Sequence, residues 1–249
     1  MIEFALGKGK LMTTTTQPQT TAELQARWHK IRVANIYDTL DKMGYGNQCL
    51  DLGIRPLFPH QRLAGQVITA QGSAYPVGAH EQGTAWTGGG EDFFQKLRTI
   101  IVPGNVVVVE CGGEQYAGKF GEMTSWALKQ SGATGIVLDS FIRDYLGLEI
   151  IPDFSVCARG TSPIESSQRW RMNAVNVTIG MPGTLTSRVK VNPGDWIVGE
   201  ADGVIVIPQE IAMEALVKAE EVEYREQKMR EDFAAGMSFD DAFNKWGRA

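Results

Sequence analysis

The chain predicts an α/β fold with a mixed β core and helices packed outside it. Three observations carry this. Short runs such as NVVVVE (105–110) and GIVLD (135–139) are apolar on successive residues, as strands covered on both faces are. Helical periodicity recurs near the N-terminus, in the middle and near the C-terminus. Strict strand–helix alternation is absent, because VNVTIG, SRVKV, DWIVGE and GVIVIP follow one another with turn residues between them. That order fits a mixed sheet better than a doubly wound one.

The elements follow in order. MIEFALGKGKLMTTTTQPQTT lacks an apolar signal core, and Met12 offers an alternative start. Residues 1–20 are expected to be a disordered arm or added residues, leaving 21–249 as one domain. Thr20 and Glu23 have capping-box spacing, and Leu24, Trp28, Ile31, Ile36 and Leu40 keep one apolar face up to Gly44. This predicts one helix over that stretch. LAGQVITA (63–70) reads as a strand. Residues 75–90, with His80, Glu81 and Trp86, read as a long Gly-rich loop, with a short helix after Glu91. FSVCARG (154–160) is a further strand, and PGD (193–195) and ADG (201–203) mark tight turns. Pro208 opens a long helix to about Ala235, charged in its later part, with Gly236 as its stop.

Composition narrows the function. The chain has 249 residues, enough for a sizeable core without disulfides. Its net charge of -5 argues against nucleic-acid binding, which needs a basic face to neutralise phosphates. Three scattered cysteines (Cys49, Cys111, Cys157) fit a reducing, cytoplasmic compartment and make no structural zinc pattern. No apolar run approaches the about 20 residues of a membrane span. Gly88-Gly89-Gly90 lacks the Lys-Ser/Thr ending of a phosphate loop, and neither GxSxG nor HExxH occurs.

The most informative segment is GEMTSWALKQSGATGIVLDSFIRD, Gly121 to Asp144. An acidic residue at a helix start is followed by a turn, a buried strand and an Arg-Asp pair. That order brings Glu122 back towards Arg143 and Asp144. The N–H groups at Gly121-Glu122-Met123 would attract an anion. A divalent cation needs one or two carboxylates besides waters and substrate oxygens, so Asp144 with a supporting Glu122 would suffice. A surface ion pair and a helix-dipole role for Glu122 explain the same residues by pattern alone. Lys119, if desolvated, would be a Schiff-base candidate, although a solvated lysine is the commoner case.

NIYDTLDKMG, IRPL, RLAGQVITA, PGNVVVVECGG, the Gly121–Asp144 segment, FSVCARGTSP and VNPGDWIVGEADGVIVIP, in that order, resemble the RraA-like family (regulator of ribonuclease E activity A). The similarity runs from about residue 33 to 237. That family includes class II pyruvate aldolases acting on 4-hydroxy-4-methyl-2-oxoglutarate and 4-carboxy-4-hydroxy-2-oxoadipate. The resemblance implies a swivelling β/β/α fold, assembled as a homotrimer or a dimer of trimers with sites between subunits. It implies that Asp144 binds magnesium or manganese and that Arg143 binds the oxo acid and stabilises its enolate. Gly121, Glu122 and Met123 match the turn whose backbone binds the carboxylate, with Glu122 holding metal-bound waters. A Glu from a neighbouring subunit is also implied, for which Glu220, Glu221, Glu223 and Glu226 are candidates. Ser140 stands where the family often has Gly, and Lys119-Phe120 and the 75–90 loop also depart from it.

The expected activity is metal-dependent cleavage of a 4-hydroxy-2-oxo acid to pyruvate and a carbonyl product, with oxaloacetate decarboxylation open to the same enolate chemistry. A ribonuclease-binding regulator without catalysis and a hydroxy-acid dehydratase are the alternatives. The regulator type tends to lack the metal-ligand Asp, so Asp144 favours the enzyme. The expected partners are a small oxo acid and further copies of the chain, with no nucleic acid and no membrane.

Overall fold

The structure is a computed structural model and describes residues 20–74, 92–167 and 169–247. Most of the N-terminal arm and the 75–90 loop lie outside the described residues. The expected capping box is present: Glu23 N–H donates to Thr20 Oγ1 at 3.2 Å, and Glu23 Oε2 accepts from Thr20 N–H at 2.8 Å. The single helix expected from Thr20 to Gly44 is instead two, α1 (Thr21–Trp28) and α2 (Val33–Lys42). Distant side chains take up the backbone groups at the break. Arg62 donates to Ile31 O at 2.6 Å, Glu223 accepts from Arg32 N–H at 3.2 Å, and Glu200 accepts from Val33 N–H at 2.7 Å. The apolar period continues through this break, which is why periodicity does not reveal it.

There follow β1 (Arg55–Pro56), β2 (Leu63–Ala74), α3 (Phe93–Ile100), β3 (Asn105–Glu110), β4 (Gly118–Lys119), α4 (Glu122–Ser131), β5 (Gly135–Leu138), β6 (Phe141–Ile142), α5 (Tyr145–Glu149), β7 (Ser155–Ala158) and β8 (Gly160–Thr161). The remainder is β9 (Trp170–Val175), β10 (Ile179–Pro182), β11 (Arg188–Val191), β12 (Trp196–Glu200), β13 (Gly203–Ile207), α6 (Ala212–Ala234) and α7 (Phe239–Trp246). VNVTIG is divided between β9 and β10 at Asn176, which takes a left-handed φ of 56°. The last helix, α7, carries no expectation from sequence.

The main sheet is eight-stranded and mixed, in the order β1-β7-β5-β3-β2-β12-β13, with β9 also pairing β2. Strands β7, β5, β3 and β2 are parallel, and the rest pair antiparallel. Side chains alternate between two cores, as a period of two requires. Val107, Val109, Ile136 and Leu138 pack in the cluster that includes Leu97 of α3, Leu128 of α4 and Leu148 of α5. Val106, Val108 and Val137 face the opposite way, towards Met181 of β10, Val189 of β11 and Val206 of β13. The third cluster joins α1, α2 and α6 to the outer faces of β12 and β13. The cysteines are free; Cys111 and Cys157 are buried, and burial pushes the Cys157 thiol up to about 12. Among the described residues, no helix is long and apolar enough to cross a membrane.

A second, three-stranded parallel sheet positions the site. Its order, β4-β6-β8, repeats that of β3, β5 and β7. The chain leaves each of those three strands and enters its counterpart in the small sheet. Whatever follows β4, β6 and β8 is therefore gathered at the carboxyl ends of parallel strands, where α/β proteins commonly bind ligands.

Candidate functional site

The register of the small sheet brings the site residues together. Gly118 pairs with Phe141, and Lys119 with Ile142. Two steps further along, that register sets Gly121 beside Asp144. Glycine at 121 lets the two meet, because a Cβ on it would strike the Asp144 carboxylate and press on Arg143 Cγ. Asp144 adopts a left-handed backbone (φ 64°, ψ 45°), a conformation that aspartate tolerates better than most residues. Its Oδ2 accepts the Glu122 N–H at 3.1 Å. Arg143 Nε lies 3.4 Å from the same carboxylate, and its Nη1 lies 4.0 Å from Glu165 Oε1. The Arg143 side chain is 34% exposed and that of Asp144 42%, so both remain open to a ligand.

The structure thus brings Gly121, Glu122, Arg143 and Asp144 together, with one refinement. The Glu122 N–H is already engaged by Asp144. The first bond within α4 runs from Ser125 N–H to Gly121 O. Of the first-turn donors, those of Met123 and Thr124 therefore point out of the helix start, where an anion is favoured. The Met123 side chain is 68% exposed. The Glu122 carboxylate lies against Gly147 of α5, where a Cβ would collide with it.

Among the described residues no three His, Cys, Asp or Glu side chains converge as a ready-made metal site. The arrangement does fit a hard cation held through one carboxylate. Asp144 is exposed, is oriented by a backbone N–H, and is seated against Gly121, whose missing side chain leaves the carboxylate room.

Lys119 is desolvated, against the commoner solvated case, but its ammonium is taken up by partners within the chain. It is buried and forms a close ion pair with Glu114. It also donates to Ser140 Oγ at 2.8 Å and to Ala117 O at 3.0 Å, and its ammonium sits 5.9 Å from the centre of the Trp170 ring. Ser140 Oγ in turn donates to Glu114 O at 2.6 Å. Lys119 and Ser140 are therefore partners in one buried cluster. Burial pushes the Glu114 carboxyl up, but the Lys119 hydrogen bond and the Ala117 and Tyr116 N–H groups outweigh it and hold the group below its ordinary value. Nothing in the sequence singles out Glu114, Gly147 or Glu165, because each acts through a contact between separate segments.

Three of the four C-terminal glutamates are engaged within their own chain. Glu220 pairs with Arg27, while Glu223 and Glu226 both bond Arg230 and Asn35. Glu221 is exposed.

The fold and site define a mixed-sheet α/β protein that presents an Arg-Asp pair and a helix start at the ends of parallel strands. The chain belongs to the RraA-like family, Aldolase/RraA, whose model matches residues 33–206. It is 28% identical over 199 residues to an uncharacterized protein of Methanocaldococcus jannaschii, a match covering 77% of this chain and 83% of that one. It is 32% identical over 137 residues to a Halalkalibacterium halodurans protein named "Putative 4-hydroxy-4-methyl-2-oxoglutarate aldolase", covering 53% of this chain and 62% of that relative. Streptomyces coelicolor RraAS2, described as an unusual member of the RNase ES inhibitor RraA protein family, shares the fold. Its TM-score is 0.70 at 24% identity, covering 86% of this chain and 99% of that one. The expected α/β fold with a mixed sheet and outer helices is that of this structure.

Proposed function

We propose that the chain is a divalent-metal-dependent carbon–carbon lyase that cleaves a 4-hydroxy-2-oxo acid to pyruvate and a carbonyl compound. One observation carries the reading: the exposed Asp144 carboxylate is seated against Gly121, where a Cβ would displace it, and the Glu122 N–H fixes it there. The family resemblance and the aldolase name carried by relatives support the same chemistry.

Asp144 would hold magnesium or manganese, which when bound supplies Lewis-acid polarisation of the carboxylate and 2-oxo oxygens of the substrate. The Met123 and Thr124 N–H groups receive the substrate carboxylate. Glu122, through a water, takes the proton of the 4-hydroxyl. The C3–C4 bond then breaks, its electrons pass to C3, and the 4-carbon leaves as an aldehyde or ketone. Arg143 faces the enolate oxygen and stabilises the charge that develops there. A proton returned to C3 completes pyruvate. Decarboxylation of oxaloacetate would pass through the same enolate. A homotrimer or dimer of trimers is the proposed assembly, with Glu221 as the free C-terminal carboxylate able to reach a neighbour.

The test is pyruvate release from a panel of 4-hydroxy-2-oxo acids. Chelator should abolish it and magnesium restore it. Activity that survives chelation rejects the metal role. Absence of pyruvate release, with a hydroxy acid dehydrated instead or a ribonuclease inhibited, would favour the dehydratase or the regulator.

A further inference from the structure

Gly147 stands at the middle of α5, a helix of five residues. Glycine is a poor choice there, because it loses more backbone freedom on folding than alanine and adds no packing. Its backbone is not among those with positive φ, so the turn itself does not require it. What a side chain at this position would meet is the Glu122 carboxyl group: Oε2, Cδ and Cγ all lie within reach of a Cβ on Gly147. The three nearest atoms belong to Glu122 alone, and none is backbone. The bare face of α5 at Gly147 is therefore shaped around one carboxylate.

We infer that Gly147 is a positioning residue, whose missing side chain forms the seat that holds the Glu122 carboxylate at the site. The inference rests on the proton-relay role proposed for Glu122. It goes beyond that role in naming what sets the position of the carboxylate. Glu122 belongs to α4 and is tied to Asp144 through its backbone N–H. Its side chain is free to swing from that anchor. Contact with α5, which begins at Tyr145 immediately after Asp144, removes this freedom. A methyl group at residue 147 would meet a flexible carboxylate first, and no backbone atom lies as near. The physical consequence is a separation of stability from activity: alanine suits a helix better than glycine, yet it displaces the group that handles the proton.

The test uses the full chain with magnesium and 4-hydroxy-4-methyl-2-oxoglutarate, with pyruvate release as the readout. Gly147→Ala should lower kcat by about tenfold or more, in the range that a displaced general base costs. KM should change little, and the melting temperature should stay level or rise. In a Glu122→Ala background, adding Gly147→Ala should cost nothing further, because residues that act through one contact are not additive. Three results would overturn the seat: full activity in Gly147→Ala while Glu122→Ala is impaired, an equal loss from Gly147→Ala in both backgrounds, or a lowered melting temperature in Gly147→Ala. Full activity in Glu122→Ala would instead remove the proton-relay role, and the seat with it.

Discussion

Two charged clusters flank the small sheet, and they are built in opposite ways. Lys119, Glu114 and Ser140 are buried, with the ammonium donating to three separate residues and the serine hydroxyl both accepting and donating. Arg143 and Asp144 are about as charged but open to solvent, 3.4 Å apart, with helix-start donors beside them. The first cluster has completed its hydrogen bonds within the chain, and so it can specify structure. The second has polar capacity left over, and so it can bind something. Chemical type alone does not separate a structural ion pair from a site; residual hydrogen-bonding capacity and exposure do.

The largest expected effect breaks the open cluster. Asp144→Ala should lower kcat/KM by about a thousandfold, the scale of losing a main electrostatic contact in a transition state. It should also abolish magnesium binding in titration calorimetry, while the melting temperature moves by only about 2 °C. Unchanged magnesium affinity would show that Asp144 is not the ligand.

Breaking the closed cluster should do the reverse. Lys119→Met leaves the Glu114 carboxylate buried without its cation, at a cost of about 3 kcal/mol of stability measured by urea unfolding. The double variant Lys119→Met/Glu114→Gln should be less unstable than the sum of the two single changes. If Lys119→Met instead lost activity with stability intact, and borohydride with substrate inactivated the original protein, Lys119 would be a catalytic amine after all.

Gly121→Ala tests the boundary between the clusters, since its methyl group would displace the Asp144 carboxylate. A shift of that kind should cost roughly a hundredfold in kcat, with magnesium still bound but more weakly. Wild-type kinetics in this variant would mean that the seat of the Asp144 carboxylate against Gly121 does not matter to the reaction.

Much of this is legible in the amino-acid sequence. NVVVVE and GIVLD announce strands covered on both faces, and their alternate valines do serve two different cores. Gly121, Glu122, Arg143 and Asp144 could be named because a helix followed by a strand returns the chain to where it began. What the sequence hides is register and long-range capture. The pairing of β4 with β6 sets Gly121 against Asp144, and no local pattern encodes it. The break between α1 and α2 is held by Arg62, Glu200 and Glu223, all remote in sequence. Lys119 and Ser140 could be seen as unusual separately, but that they answer each other required the fold.

The smallest expected effect lies in pH, and it sharpens the contrast from the closed side. The folded Glu114 carboxyl titrates below its unfolded value of 4.5. The stability it confers is therefore fully present above pH 4.5 and is lost as pH falls through the depressed folded value. Asp139 runs the other way. Burial raises its folded value above 3.8, so its contribution is present below 3.8 and is lost as pH rises through the raised value. Acidification should thus weaken the Lys119 cluster while relieving Asp139. Glu114→Gln isolates the first effect, because a neutral amide mimics the protonated carboxyl. Its melting temperature should lie below that of the original protein by about 4 °C at neutral pH. The gap should close as the pH is lowered through the carboxylate range. A gap that stays constant across that range would mean that Glu114 gives its stability through shape and not through charge, and the closed cluster would then be an ion pair in name only.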